Sequence, residues 1–265
     1  MRRRVVALLA VVSAVCAFSA LSYAAPFEDL FKIEKITGEC NVQTPGNADF
    51  VAAVDGNAYA YGTKIKTGRK SSANIVFSEG NTCRILANAA LVITKDVKDE
   101  KLKSINLDAG KVEISLEPEF HKTNNDSLNV VTPTAICGAI GCKYSIESAF
   151  VPKEDMHVVV GLCDEGEIHI HGNGFDVPMK GEDGLTISTP SDRSFIRLKS
   201  IKGAYGVQIH DSDGKPKTVE MKVGSAIKIW RTKSATGNVW IVTILITAPD
   251  GSLVEAITRN EPISF

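Results

Sequence analysis

The 265-residue sequence has no excess of either charge, because 30 lysines and arginines stand against 31 aspartates and glutamates and leave a net charge of -1. Surfaces that bind nucleic acid or anionic membranes usually carry a surplus of lysine and arginine. The balance therefore gives no indication of a nucleic-acid partner or of a charged membrane surface. With 44% hydrophobic residues, the chain is long enough to bury a substantial core in one large domain or two small ones.

Several signatures of catalysis and cofactor binding are also missing. No cysteine pair has the C-x-x-C spacing of redox or zinc-ribbon sites, and no serine lies in a G-x-S-x-G nucleophile elbow. Residues 138–141 are glycine-rich but lack the Lys-Ser/Thr of a phosphate-binding loop. The acidic pairs at 164–165 and 182–183 each precede a glycine, as solvated turn residues do. These absences predict a protein that is not an enzyme and carries no cofactor.

The first 24 residues have the pattern of a signal peptide. Residues 1–4 are basic, residues 5–21 form an apolar run, and residues 22–24 are small enough around the cleavage position to predict processing after Ala24. An uncleaved membrane anchor is the alternative, although the run is at the short end of a membrane span. Either way we expect an exported chain, periplasmic or secreted, that meets the membrane only through this segment if it stays uncleaved.

Five cysteines remain once Cys16 is removed with the signal: Cys40, Cys83, Cys137, Cys142 and Cys163. Export places them in an oxidising compartment, where up to two disulfides and one spare thiol are expected from an odd number. Buried free cysteine is the alternative, since this residue is often fully buried as a small apolar side chain. The spacing leaves the connectivity open.

From Phe31 onward the sequence reads as short strands separated by Gly, Asn and Asp turns, at spacings of roughly 8–12 residues. Ala73, Ile75 and Phe77, for example, alternate with polar or smaller residues before a turn at 78–81. The pattern is typical of an antiparallel β-sandwich or jelly roll, and its glycine-led repeats also suit a short β-solenoid. A separate small β meander is predicted over residues 202–265, and a helix is predicted only near residues 27–31.

Residues 130–146 are the most distinctive stretch. Thr132 precedes Pro133, which predicts an extended backbone and places the proline at a strand start, an edge or a bulge. Gly138 and Gly141 predict bends or the close passage of another backbone. The two bulky residues predicted to enter the core here are Ile136 and Ile140.

This stretch resembles the signature of the FecR domain, a bacterial extracytoplasmic β module with the pattern V-x-T-P-x-A-x-x-G-x-x-G-T-x-F. Residues 130–144 read V-V-T-P-T-A-I-C-G-A-I-G-C-K-Y, with Cys142 in place of the usual threonine. Similar fragments follow the family's order at 61–80, 105–114 and 156–170. The resemblance implies a FecR-like β domain over residues 25–201. The family's cytoplasmic anti-sigma segment is not expected here, because only 24 residues precede the domain.

The sequence therefore predicts an exported, non-enzymatic FecR-like binding module whose partner is another envelope protein or a surface glycan. One alternative is a metal-dependent enzyme built on a sheet. His169 and His171 lie at i and i+2 on one strand face, and Cys163 or Asp176 could join them. We expect these two histidines to be solvent-facing without a metal.

Another alternative is a structural envelope protein whose tail adds to a partner's sheet. Trp230 and Trp240 flank a turn in that tail. They are expected to be packed core aromatics rather than a surface that stacks on sugars or on a partner.

A charged residue in the apolar run, as in Leu9→Glu, should hold the protein in the cytoplasm because it breaks the hydrophobic segment that directs export. Cell fractionation and N-terminal sequencing of the wild type measure this, with Ala25 expected as the first mature residue. Lys70→Glu, which changes charge outside the signal, should be exported normally. Efficient export of Leu9→Glu, or a wild-type protein that still begins at Met1, would contradict the signal-peptide prediction.

Overall fold

The structure is a computed structural model that describes residues 30–78, 81–96, 102–117, 127–236 and 239–262. The described residues form strands and turns with no helix, and so contain no helical segment able to span a membrane. The predicted signal peptide and most of the predicted helix at 27–31 lie outside these residues. Leu30 and Phe31 belong to the first strand, so the helix prediction is wrong at its end.

The first ten strands are β1 (Leu30–Thr37), β2 (Cys40–Gln43), β3 (Val51–Ala52), β4 (Asn57–Ala60), β5 (Lys64–Thr67), β6 (Ser72–Ser78), β7 (Asn81–Ile85), β8 (Ala90–Lys95), β9 (Leu102–Ser115) and β10 (Ser127–Val131). The next ten are β11 (Ile136–Val151), β12 (Met156–Gly172), β13 (Phe175–Lys180), β14 (Gly184–Pro190), β15 (Phe195–Lys202), β16 (Tyr205–His210), β17 (Pro216–Met221), β18 (Ala226–Lys233), β19 (Val239–Thr247) and β20 (Leu253–Pro262). The all-β prediction is confirmed.

The strands pair in two continuous runs. One run is β1-β6-β7-β9-β11-β12-β14-β15-β18-β19-β20. The other is β3-β2-β5-β8-β9-β10-β11-β12-β13-β16-β17. These pairs are antiparallel, except that β9 and β10 run parallel. Buried side chains from both runs belong to one hydrophobic core, as in a β-sandwich.

Three long strands, β9, β11 and β12, take part in both runs, and each bends at a glycine with positive φ. The bends lie at Gly110 (φ 91°), Gly141 (φ 54°) and Gly166 (φ 81°). The first half of β9 pairs with β8 and β10, and its second half pairs with β7 and β11. A Cβ added to Gly166 would lie 2.7 Å from the Cβ of Cys142, so the bends of β11 and β12 adjoin. Gly141 thus has the positive φ expected of a bend.

The rest of the distinctive stretch differs from expectation in three ways. Ile136 is 44% exposed, because the alternation that points Cys137 and Ala139 into the core points Ile136 outward. Gly138 is not a bend, and a Cβ there would meet Asn129 Oδ1 at 3.2 Å. Pro133 lies in the turn between β10 and β11 rather than at a strand start. The side chain of Ile140 lies outside the described part of the structure.

That turn is held by one side chain. The Thr132 hydroxyl donates to the carbonyl oxygen of Ala135 at 2.8 Å and accepts the Ala135 N–H at 3.0 Å. The backbone N–H of Thr132 donates to the same carbonyl at 2.9 Å. Because Pro133 has no N–H, it loses no hydrogen bond at this position. The Thr-Pro pair therefore closes the β10–β11 hairpin.

The tail continues the sheets of the preceding part. The predicted boundary at residue 201 falls inside β15, which pairs with β14 on one side and β18 on the other. Tail side chains such as Val207, Met221 and Ile244 belong to the common core. The predicted meander is present as β18-β19-β20, next to the β16–β17 hairpin. The division of the chain into two domains stays a prediction.

Gly110→Ala should destabilise the protein more than Gly214→Ala. Both glycines have positive φ, where a Cβ costs about 1–2 kcal/mol. At Gly110 the new Cβ would also collide with Ala89 Cα and lie 2.9 Å from the Ala89 nitrogen, whereas nothing lies within 4 Å at Gly214. Crowding of this kind adds about 1–3 kcal/mol. Urea unfolding measures the difference, and equal midpoints would show that the β9 bend tolerates a side chain.

Candidate functional site

A polar row on the outer face of the second run contains both predicted histidines. On β12, Ile168 and Ile170 are buried, so the alternating residues Glu167, His169 and His171 point outward. The two imidazole rings are stacked, with centroids 5.8 Å apart and planes 17° apart. The core therefore fixes which face of β12 carries the histidines.

The neighbouring strand supplies a carboxylate. The β12–β13 hairpin pairs His171 with Asp176 and His169 with Pro178. Asp176 Oδ1 lies 3.1 Å from His171 Nδ1 and 3.7 Å from His169 Nδ1. One ligand atom from each of these three residues lies within 4.8 Å of the others. Asp176 thus joins the two histidines, as one of the two candidates named from the sequence.

The other named candidate, Cys163, is not part of this cluster. Cys163 is buried, and its thiol donates to the carbonyl oxygens of Glu165 at 3.7 Å and Gly166 at 3.6 Å. Glu167, which was not among the candidates named from the sequence, has its Oε1 3.4 Å from His169 Nε2. The alternation Glu-Ile-His-Ile-His over residues 167–171 was the signal that could have found it.

Gly138 is the neighbour of His169 on β11. It pairs with His169 across β11 and β12, and with Asn129 across β10 and β11. A Cβ on Gly138 would lie 3.2 Å from Asn129 Oδ1, so the Asn129 amide lies over the glycine.

The cysteines form a separate, buried group. In the described residues, no disulfide involves Cys40, Cys83, Cys137 or Cys163. These four cysteines and Cys142 are all buried. Burial raises the pKa of Cys40 to about 11. The pKa of Cys163 is raised to about 11, first by burial and then by the nearby carboxylates of Asp183, Asp164 and Glu167. These thiols are protonated at neutral pH and are poor nucleophiles.

The thiol of Cys137 is buried beside those of Cys142 and Cys163. Burial raises its pKa well above the usual value, and the neighbouring thiols of Cys142 and Cys163 oppose a negative charge there further. The hydroxyl of Tyr144 is also buried. Burial raises its pKa well above the usual value, and the thiols of Cys137, Cys142 and Cys83 raise it further. The cysteine cluster is therefore part of the apolar core under the bends.

The tail tryptophans are half-buried rather than fully packed in the core. Lys228 Nζ lies 4.2 Å from the ring centroid of Phe195 and 5.7 Å from that of Trp230. Lys233 Nζ lies 5.5 Å from the ring centroid of Trp240. Cation–π contacts of this kind stabilise exposed sites by about 0.5–1 kcal/mol. A lysine amine therefore accompanies each tryptophan.

A groove of about 430 Å³ lies elsewhere in the tail, between β17 and the turn that joins β19 to β20. Its lining combines charged side chains such as Lys217 and Glu255 with apolar ones such as Pro249 and Val254. Val254 is 65% exposed and its neighbour Leu253 is 61% exposed. Val223, in the turn after β17, is also exposed. Val223, Leu253 and Val254 are called the apolar rim below.

Comparison with known families gives a match over part of the chain. Residues 63–169 match the family described as FecR protein. The matched range covers β5 through most of β12 and includes the three bend glycines and His169, but it ends before His171. The chain matches no protein among those with curated descriptions.

Two solved structures are similar to the chain, both crystal structures of a "putative anti-sigma factor" from Parabacteroides distasonis ATCC 8503, at 1.65 and 2.50 Å resolution. Each is 9% identical in sequence, with a TM-score of 0.40, over 52% of this chain. The chain spans 59% of the length of that protein. A structural similarity with so low an identity and TM-score assigns no function to this chain.

Thiol titration distinguishes a reduced from a bridged core. In denaturant without reductant, we expect five reactive thiols per mature chain, the number of cysteines after Cys16. In the folded protein at pH 8, labelling should be slow, because burial raises the pKa of Cys40 and Cys163 to about 11 and leaves them as thiols. A reduced sample serves as the reference for the count. A single thiol before reduction and five after it would show two disulfides instead.

Proposed function

From the premise that residues 63–169 form a FecR domain, we propose that the protein is an exported, non-enzymatic binding module of the bacterial periplasm or cell envelope, with another envelope protein as its partner. The family match supports the module, and the predicted signal peptide supports export. The surface of the tail supports a protein as the partner.

The apolar rim beside the tail groove is the observation that carries this proposal. Large apolar side chains are exposed at Val223, in the turn after β17, and at Leu253 and Val254, the first two residues of β20. Gly224 approaches Pro249 between these two segments. Lys217 and Glu255, which form an ion pair, lie on the groove wall. Exposed large apolar side chains that lie beside charged groups are typical of protein-binding surfaces.

β20 adds a second binding element next to the rim. In the described residues its backbone pairs with β19 alone, so its other edge is available to a further strand. An extended partner segment can add to such an edge through main-chain hydrogen bonds, while pockets nearby select its side chains. The rim lies at the start of this strand, where it would contact the partner's side chains.

A surface glycan is the second candidate, because Phe195 and Trp230 lie on neighbouring strands of the outer face. Aromatic faces bind sugars by stacking and need to be open. Lys228 lies over the Phe195 ring and near the Trp230 ring, which covers these faces. The open apolar rim therefore favours a protein partner over a glycan.

The test compares two matched double variants in a crosslinking capture from the envelope fraction of the source cells. Leu253→Asp with Val254→Asp places charge on the rim and should reduce capture of the wild-type partner by at least about 10-fold, since buried charge at an interface is costly. Val51→Asp with Val54→Asp changes two equally exposed valines far along the chain and should leave capture unchanged.

Both variants should be exported and folded like the wild type, as measured by fractionation and circular dichroism. Equal capture by the rim variant and the wild type would contradict the rim as the binding surface. Loss of wild-type capture on deglycosylation of the fraction, with the rim variant unaffected, would favour the glycan. A cytoplasmic location of the wild type would overturn the envelope assignment.

A further inference from the structure

We propose that His169, His171 and Asp176 bind a divalent transition-metal ion such as Zn²⁺ on the outer face of β12 and β13. This inference goes beyond the proposed function and does not depend on the apolar rim. It concerns binding alone, and no reaction is assigned to the site.

The interatomic distances match a shared ion. Zinc binds imidazole nitrogen at about 2.0–2.1 Å and carboxylate oxygen at about 2.0–2.2 Å, so neighbouring ligand atoms around a tetrahedral ion are about 3.3 Å apart. Asp176 Oδ1 lies 3.1 Å from His171 Nδ1 and 3.7 Å from His169 Nδ1. Both Nδ1 atoms thus face the same oxygen at ligand-to-ligand distances.

Asp176 Oδ1 is the independent observation that calls for a cation. This oxygen is shielded from solvent and has no hydrogen-bond partner in the described structure, although both imidazoles are close. The contacts with His169 and His171 therefore lack hydrogen-bond geometry, in spite of their short distances. A buried carboxylate oxygen without a donor is costly, and a metal ion between it and the two nitrogens would satisfy all three.

Glu167 contacts the second ring nitrogen of His169, one of the proposed ligands. Its Oε1 lies 3.4 Å from His169 Nε2, on the opposite side of the ring from Asp176. Metal-bound histidines commonly donate their second ring N–H to a carboxylate, which fixes the tautomer and the ring orientation. Glu167 also lies 3.9 Å from Lys180 Nζ, which holds it on the outer face of the hairpin. Glu167 is therefore a positioning residue for His169.

The ligands stand on a rigid frame. The β12–β13 ladder fixes the register of His171 against Asp176, and the buried Ile168 and Ile170 fix the outward direction of the histidines. The three residues supply three ligands, so a water or a group from a partner would take the fourth position of a tetrahedral ion. Two imidazoles and one carboxylate favour Zn²⁺, Cu²⁺ or Ni²⁺ over Ca²⁺ and Mg²⁺, which prefer all-oxygen sites.

The experiment is calorimetric titration of the tag-free, chelator-treated mature protein with Zn²⁺, together with the visible spectrum of the Co²⁺ form. We expect one ion per chain. His171→Ala and Asp176→Asn should each weaken binding by at least about 10-fold and change the Co²⁺ spectrum, because each removes a ligand. Glu167→Gln should weaken Zn²⁺ binding by about 10-fold but leave the Co²⁺ spectrum unchanged. It removes a hydrogen-bond partner of a bound histidine rather than a ligand, and such changes lower metal affinity.

Matched controls remove histidines outside the cluster. His157→Ala, at the other end of β12 beside Phe150, and His210→Ala, exposed on β16, should bind Zn²⁺ as tightly as the wild type. Circular dichroism checks that each variant is folded. If Asp176→Asn does not fold, the comparison of His171→Ala with the wild type decides the test. Absence of saturable binding in the wild type, or equal binding by the wild type and His171→Ala, would overturn the proposal.

Discussion

The fold depends on three long strands that bend, and the register between two of them, β11 and β12, shifts at the bend before pairing resumes. β9, β11 and β12 each pass from one run of paired strands to the other through a glycine with positive φ. A side chain at such a position is strained, and at Gly110 and Gly166 it would also collide with the neighbouring strand. Because both sheets share these strands, the core between them forms as one unit, and the cysteine cluster lies under the bends.

The bend in β12 also determines the surface chemistry. Beyond Gly166, the register with β11 points Ile168 and Ile170 into the core and leaves the alternate positions outside. A shift of one residue would bury two imidazoles and expose two isoleucines, which the core would not tolerate. The histidine cluster is thus positioned by the same hydrophobic alternation that holds the sheet, and β13 only has to supply Asp176 in register.

The tail has a different role from the bent strands, although it shares their core. Its strands extend both runs and end in the open edge of β20 and the apolar rim. Surfaces of this kind are usually covered in the functional state, because exposed apolar groups next to an unpaired edge promote association. The two candidate surfaces, the histidine cluster on β12 and β13 and the apolar rim by β17 and β20, therefore lie on different strands that share one core.

Strand alternation and turn chemistry are local properties, so they were enough to predict the all-β class, the turns of the tail and the shared face of His169 and His171. The FecR resemblance was likewise visible in the order of residues alone. The sequence did not show that Ile136 points outward, because that depends on which alternate set of β11 side chains faces the core. Nor did it select Asp176 over Cys163, or join Glu167 to His169, because those choices depend on hairpin register and on burial. The tertiary structure decided them, since only the packing of β11, β12 and β13 fixes which side chains meet.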